Sequence, residues 1–122
     1  MIAMSKVTHL IQYYWLSLTL LLLTAITTLS LWPVSQLPNV PGTDKTHHFI
    51  AYAALILPTA LRKPKYYLVL VLLFIAFSGA IELIQPYVNR YGEWLDMAAN
   101  TLGLVCGWLL AKTLLYVSPK QA

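Results

Sequence analysis

The sequence predicts an all-α integral membrane protein, a four-helix bundle with both termini cytoplasmic, on three observations. Hydrophobic residues make up 59% of its 122 residues and charged residues only 10%, with mean hydropathy +0.68; an ordinary soluble domain carries roughly 25% charged residues. Apolar runs alternate with stretches that hold most of the proline and glycine. Lys and Arg concentrate in the loops of one membrane side. Four spans of about 20 residues take up roughly 80 positions, so a single domain over residues 1–122 is expected, with no room for a separate soluble unit.

The first span is expected over residues 13–32, where Tyr13, Tyr14, Trp15 and Trp32 bracket an apolar run that ends at Pro33. Aromatic residues at both ends suit the two membrane interfaces. The run is longer than the 7 to 15 apolar residues of a signal peptide and no A-x-A cleavage site follows it, so an uncleaved helix is expected. The second span, 44–61, is the shortest and carries Pro58, which removes a backbone hydrogen bond and is expected to kink its last turn. The third, 66–85, and the fourth, 96–117, are long enough without further argument.

Positive residues are retained on the cytoplasmic side of a membrane. Lys6 precedes the first span, Arg62, Lys63 and Lys65 join the second to the third, and Lys112 and Lys120 lie near the C-terminus. The opposite side carries Lys45 and Arg90, accompanied by Asp44, Glu93 and Asp96. This distribution predicts a multi-pass protein with its loops 33–43 and 86–95 outside.

Two classes of protein are set aside. The lone Cys106 lies inside the last apolar run, which excludes a disulfide framework and gives the residue an expected packing role. The net charge of +4 could suit nucleic acid, but such binding needs a basic face with several phosphate contacts, and the basic residues here are sorted by membrane side.

The polar residues gather at the outer ends of three spans. Lys45, His48 and Tyr52 share a helix face at i, i+3, i+7, with Asp44 one turn before His48. Glu82 and Gln85 share a face of the third span, and Asp96, Asn100, Gly103 and Gly107 form a stripe on the fourth. Glu82 lies about 6 Å inside the helix end set by Pro86. An ionised group facing lipid costs about 2.5 to 3.5 kcal/mol at the bilayer centre and less near the interface, so Glu82 is expected to face the bundle interior, with Lys45, His48 or Arg90 as partner.

Each of these residues also has a plain structural reading. Asp44 and Asp96 can cap helix N-termini, His47 can sit at the interface, His48 can be a satisfied polar contact, and Arg90 a solvated loop charge. Gly103-x-x-x-Gly107 is a small-residue stripe of the kind that lets helices approach closely, and is read as packing. The convergence of so many polar groups at one depth, in a chain with eight basic and four acidic residues, points beyond packing to a site.

The ordered combination Asp44-Lys45-x-x-His48-x-x-x-Tyr52, Glu82-x-x-Gln85, Arg90 and Asp96-x-x-x-Asn100-x-x-Gly103 resembles the VanZ-like family over residues 44–107. The family takes its name from a protein associated with teicoplanin resistance. The resemblance implies a multi-pass protein of the bacterial cytoplasmic membrane, and carries the family's motif onto Asp44, Lys45, His48, Glu82, Gln85, Arg90, Asp96, Asn100 and Gly103.

Three functions are compatible with this pattern. The first is binding or modifying an anionic lipid or lipid-linked cell-wall precursor, with Lys45 and Arg90 on phosphate and the acidic and amide groups on the head group, and with an effect on glycopeptide susceptibility. Asp44, Lys45, His48, Tyr52, Glu82, Gln85, Arg90, Asp96 and Asn100 are the ligand-binding candidates. The second is a hydrolase or transferase in which His48, Glu82 and Asp96 hold a divalent metal, or His48 is the general acid and base; no H-E-x-x-H, paired-cysteine or serine-nucleophile motif accompanies them. The third is a non-catalytic network that fixes helix order in a protein acting through membrane partners. A channel is disfavoured because the inner halves of the helices lack ionisable groups, although an oligomer would enlarge the interior.

Overall fold

The computed structural model describes residues 2–32, 44–88 and 94–118, with side chains from residue 5 onward and excepting that of Asp44. Its elements are helical: α1 (Ile2–Tyr13), α2 (Trp15–Leu31), α3 (Asp44–Arg62), α4 (Tyr67–Ile84) followed by a 3-10 turn (Gln85–Val88), and α5 (Trp94–Val117). The expected second, third and fourth spans coincide with α3, α4 and α5, and the first with α2.

The described residues form five α-helices where four were predicted, because residues 2–13 form α1, which meets α2 at 75° through Tyr14. The α3 helix differs from α4 and α5. Among the described residues, α4 with its 3-10 turn and α5 are long and apolar enough to cross a membrane, and α1 with α2 passes only as a bent pair; α3 does not qualify. Lys45, His47, His48 and Arg62 lower its hydropathy, and its position accommodates them. It packs against α1, α2, α4 and α5, most extensively against α5, and Tyr52, Leu55, Ile56, Thr59, Ala60 and Leu61 are all buried. A helix surrounded by protein can carry polar residues that a lipid-facing helix cannot.

The outer helices turn apolar side chains away from the core. Leu16, Leu20 and Leu21 of α2, Leu68, Leu72 and Leu73 of α4, and Leu102, Val105 and Leu109 of α5 are exposed, an apolar surface far larger than a soluble monomer tolerates. Threonines within these helices satisfy their hydroxyls locally: Thr19, Thr24, Thr101 and Thr113 each donate to the carbonyl four residues earlier. Exposed aromatics stand at both ends of the helices, Tyr13, Tyr14, Tyr66 and Tyr116 at one and Trp32, Tyr87 and Trp94 at the other, as two interfacial belts require.

The α3–α5 contact is set by the two glycines. A Cβ at Gly103 would collide with the carbonyl oxygen of Phe49, and one at Gly107 would collide with that of Ala53 and stand 2.6 Å from Ile56 Cγ2. The stripe is packing, as its spacing predicts, and it holds the backbones of α3 and α5 together. Cys106 departs from expectation: it is exposed on the outer face of α5, one position away from the stripe. Pro58 leaves α3 unbroken to Arg62. Lys63 then leaves the helix at φ 52°, and Pro64 follows.

The helix ends are tied in two layers. At one end, Gln12 of α1 donates to the carbonyl of Leu61 at 2.8 Å, satisfying an acceptor that the end of α3 leaves open. Thr8 meets Ser118 at 3.3 Å at that same end. At the opposite end, Gln85 donates to the carbonyl of Ser30 at 3.1 Å and joins α2 to the turn after α4. The polar stripes meet at this second end.

Candidate functional site

Helical spacing places His48 on the inner face of α3, Ser78, Glu82 and Gln85 on that of α4 and its 3-10 turn, and Asp96 and Asn100 on that of α5. Glu82, Gln85, Asp96 and Asn100 are each at most 5% exposed, and His48 is 9% exposed. Buried polar groups of this number need mutual partners.

Asn100 is the centre of the arrangement. Its Nδ2 donates to Ser78 Oγ at 2.8 Å, and its Oδ1 lies 2.9 Å from His48 Nδ1. A carboxamide oxygen can only accept. The bond therefore places a proton on His48 Nδ1, and in the neutral ring Nε2 carries the lone pair. Three helices are linked through this one side chain.

The charged groups lie around it. Glu82 Oε1 is 4.0 Å from His48 Nδ1, and Lys45 Nζ is 3.5 Å from Asp96 Oδ1. Lys45 is about half exposed whereas Asp96 is buried, so the lysine leans over the end of the cluster from its rim. Ligating atoms of His48, Glu82 and Asp96 all fall within 4.8 Å of one another. Asp96 Oδ1 and Gln85 Oε1 have no hydrogen-bond donor among the described residues. The Tyr52 hydroxyl lies close to Ser78 and Glu82, one turn deeper than His48 on α3.

Of the residues selected from sequence, the structure brings together Lys45, His48, Tyr52, Glu82, Asp96 and Asn100, with Gln85 one turn after Glu82 and directed in part to α2. The side chain of Asp44, and Arg90 and Glu93, lie outside the described residues. Ser78 was not among the candidates. It is four residues before Glu82, on the same face, and that spacing in an otherwise apolar run was the available signal.

An apolar groove lies further along α4 and α5. About 250 Å³ in volume, it is lined by Ile56 of α3, by Tyr67, Val71 and Ile75 of α4, and by Thr101, Leu104 and Trp108 of α5 among others. Thr101 directly follows Asn100, so cluster and groove are successive features of α5. Near the far end of the groove, Lys112 Nζ lies 4.6 Å from the ring of Trp108, an ammonium over an aromatic face towards the Tyr116 end of α5.

Fold and cluster together define a helical membrane protein with a buried cluster of acid, imidazole and amide groups at one end. A family model described as VanZ/LLP1 matches residues 3–116, and the chain belongs to that family. No curated protein and no solved structure matches it.

Proposed function

We propose that the protein is a multi-pass component of the bacterial cytoplasmic membrane that takes the head group of an anionic lipid, or of a lipid-linked cell-wall precursor, at the outward end of its helices. The observation that carries this reading is the succession along α4 and α5 of a buried polar cluster and an apolar groove, Asn100 belonging to the first and Thr101 to the second. A lipid has that division, a polar head next to an apolar chain. Ligand sites commonly pair an apolar lining with a few convergent polar groups.

Roles follow from charge and exposure. Lys45, half exposed at the rim, contacts phosphate, and Arg90 is proposed as its partner because a guanidinium binds phosphate bidentately. His48, Glu82, Asp96 and Asn100 lie deeper and receive hydroxyls, amines or a cation associated with the head group. Outward orientation is supported by Lys6, Arg62, Lys63, Lys65 and Lys112 lying towards the opposite end of the bundle. An effect on glycopeptide susceptibility would follow from altered handling of such a lipid.

A second reading has its own observation: the approach of His48, Glu82 and Asp96 within 4.8 Å favours a hydrolase or transferase acting on the same head group, with His48 moving the proton. Mass spectrometry of lipids retained by protein purified in mild detergent tests the binding reading. Retention of one phosphate-bearing lipid class, lost on joint Lys45→Ala and Arg90→Ala substitution, is expected. Retention of bulk phospholipid in proportion to the membrane, unchanged by the double substitution, overturns it.

A further inference from the structure

We infer that His48, Glu82 and Asp96 form a site for one divalent cation, and that Lys45 covers it when the cation is absent. The inference deepens the proposed function and rests on it in taking this cluster as the working part of the protein.

The donor set comes first. One imidazole and two carboxylates from three helices converge within 4.8 Å. Metal–nitrogen and metal–oxygen bonds of about 2.1 Å in tetrahedral array put ligand atoms about 3.4 Å apart, so the three side chains need to draw in by roughly 1 Å. Rotamer adjustment at the ends of Glu82 and Asp96 supplies that movement. A mixed nitrogen and oxygen set suits Zn²⁺ or Mn²⁺ over the thiolate-bound metals.

Charge gives the second argument. Glu82 and Asp96, when ionised, bring two negative charges to a buried site, and among the described residues the ammonium of Lys45 stands beside Asp96; buried charges need such compensation. A divalent ion balances the two carboxylates by itself and releases Lys45, whose long stem and half-exposed position allow it to turn outward. Lys45 Nζ at 3.5 Å from Asp96 Oδ1 already places a cation beside that carboxylate. The same Oδ1, in a side chain 2% exposed, has no hydrogen-bond donor among the described residues. A carboxylate oxygen so placed is available to a stronger ligand.

Asn100 supplies the third. A histidine that ligates metal ordinarily gives its other ring proton to an oxygen acceptor, which fixes tautomer and ring orientation. The 2.9 Å contact from His48 Nδ1 to Asn100 Oδ1, braced by Ser78, provides that acceptor. Asn100 is thus a positioning residue for His48. In the lipid reading, the cation would bridge the buried carboxylates to the phosphate, while Lys45 leaves Asp96 for the same phosphate.

The test is calorimetric titration of Zn²⁺, and separately Mn²⁺, into chelator-treated full-length protein in detergent, with no lipid added. One ion per chain is expected for one of the two metals. Asp96→Asn and Glu82→Gln should each weaken it by about tenfold or more, and Asn100→Leu by about tenfold through loss of the acceptor. Lys45→Met should keep the stoichiometry and tighten binding, because it removes the competing ammonium. A helical circular dichroism spectrum accompanies each variant.

Absence of stoichiometric uptake by both the wild type and Lys45→Met overturns the inference, as does uptake indifferent to Asp96→Asn. The lipid analysis is read separately. Stoichiometric metal without selective lipid retention sinks the proposed function and leaves the metal site standing; selective retention by protein that takes up no metal does the reverse.

Discussion

Lys45 Nζ stands 3.5 Å from Asp96 Oδ1, joining the first turn of α3 to the first turn of α5 over an interior that contains Glu82 and His48. One partner is half exposed and the other buried, which makes the two ends of this ion pair unequal. Truncating the lysine leaves Asp96 buried without its cation, whereas Asp96→Asn removes the charge itself. Lys45→Ala should therefore lower thermal stability more than Asp96→Asn does. The exposed rim holds the lysine effect to about 1 kcal/mol. Thermal unfolding followed by circular dichroism in one detergent measures both, and equal or reversed effects contradict the asymmetry.

Asn100 connects three helices, and its loss should be felt by two neighbours at once. Asn100→Leu keeps similar volume but removes the bonds to both His48 Nδ1 and Ser78 Oγ. Taking the partner from a buried polar group costs about 1 to 3 kcal/mol. A marked loss of thermal stability is expected for Asn100→Leu and a smaller one for Ser78→Ala, which removes the acceptor of Asn100 Nδ2. If the two variants melt together with wild type, the network is not a structural element of the bundle. Membrane hydrogen bonds average only about 0.6 kcal/mol in one host, so a large effect would mark this network as a tightly coupled one.

Gly103 and Gly107 let α5 approach the backbone of α3. Gly103→Ala places a methyl group against the carbonyl of Phe49, and backbone cannot yield as a side-chain tip does. Overpacking of this kind typically costs about 1 to 3 kcal/mol, and Gly107→Ala should behave likewise. Gly79→Ala is the control, because its new Cβ meets the flexible Met97 side chain at 3.5 Å. Expression and melting temperature should fall for the first two and stay near wild type for the third.

The groove between α4 and α5 is open to a bulkier residue at its rim. Val105 lines it and is about half exposed, so Val105→Trp fills the space without entering the core. Retention of the selected lipid should drop severalfold while melting temperature holds. Unchanged retention would separate head-group binding from the groove and place the acyl chain elsewhere.

Much of this arrangement is legible in the sequence for a physical reason: ionisable residues in an apolar chain are constrained to face protein. His48, Glu82, Asp96 and Asn100 follow from helical spacing plus that constraint, and so does the glycine stripe. Ser78 escaped because a serine can satisfy its hydroxyl within its own helix, so its position alone does not call for a partner. The amphipathic α1 escaped because twelve residues of mixed polarity give no span signal, and its role, closing the α3 carbonyl at Leu61 through Gln12, depends on tertiary contact. The α3 helix shows the opposite case: its length suits a span, and its polar residues are those of a helix enclosed by its neighbours.

The direction of the site follows from charge and can be checked without knowing the ligand. Lys6, Arg62, Lys63, Lys65 and Lys112 lie towards the end where Tyr66 is exposed, whereas Tyr87 is 90% exposed at the end with the polar cluster. On the retention of positive residues in the cytoplasm, the proposed orientation has residue 87 outside and residue 66 inside. In a Cys106→Ser background, a membrane-impermeant maleimide should label a Tyr87→Cys variant in intact spheroplasts and a Tyr66→Cys variant only after lysis. The substituted positions are exposed, so neither variant disturbs the core. Reversed labelling would turn His48, Glu82 and Asp96 towards the cytoplasm, and a cell-wall precursor presented on the outer leaflet could then not be the ligand. The charged cluster would instead have to meet a head group on the inner leaflet, where Lys45 would be one basic residue among the anionic lipids of that surface.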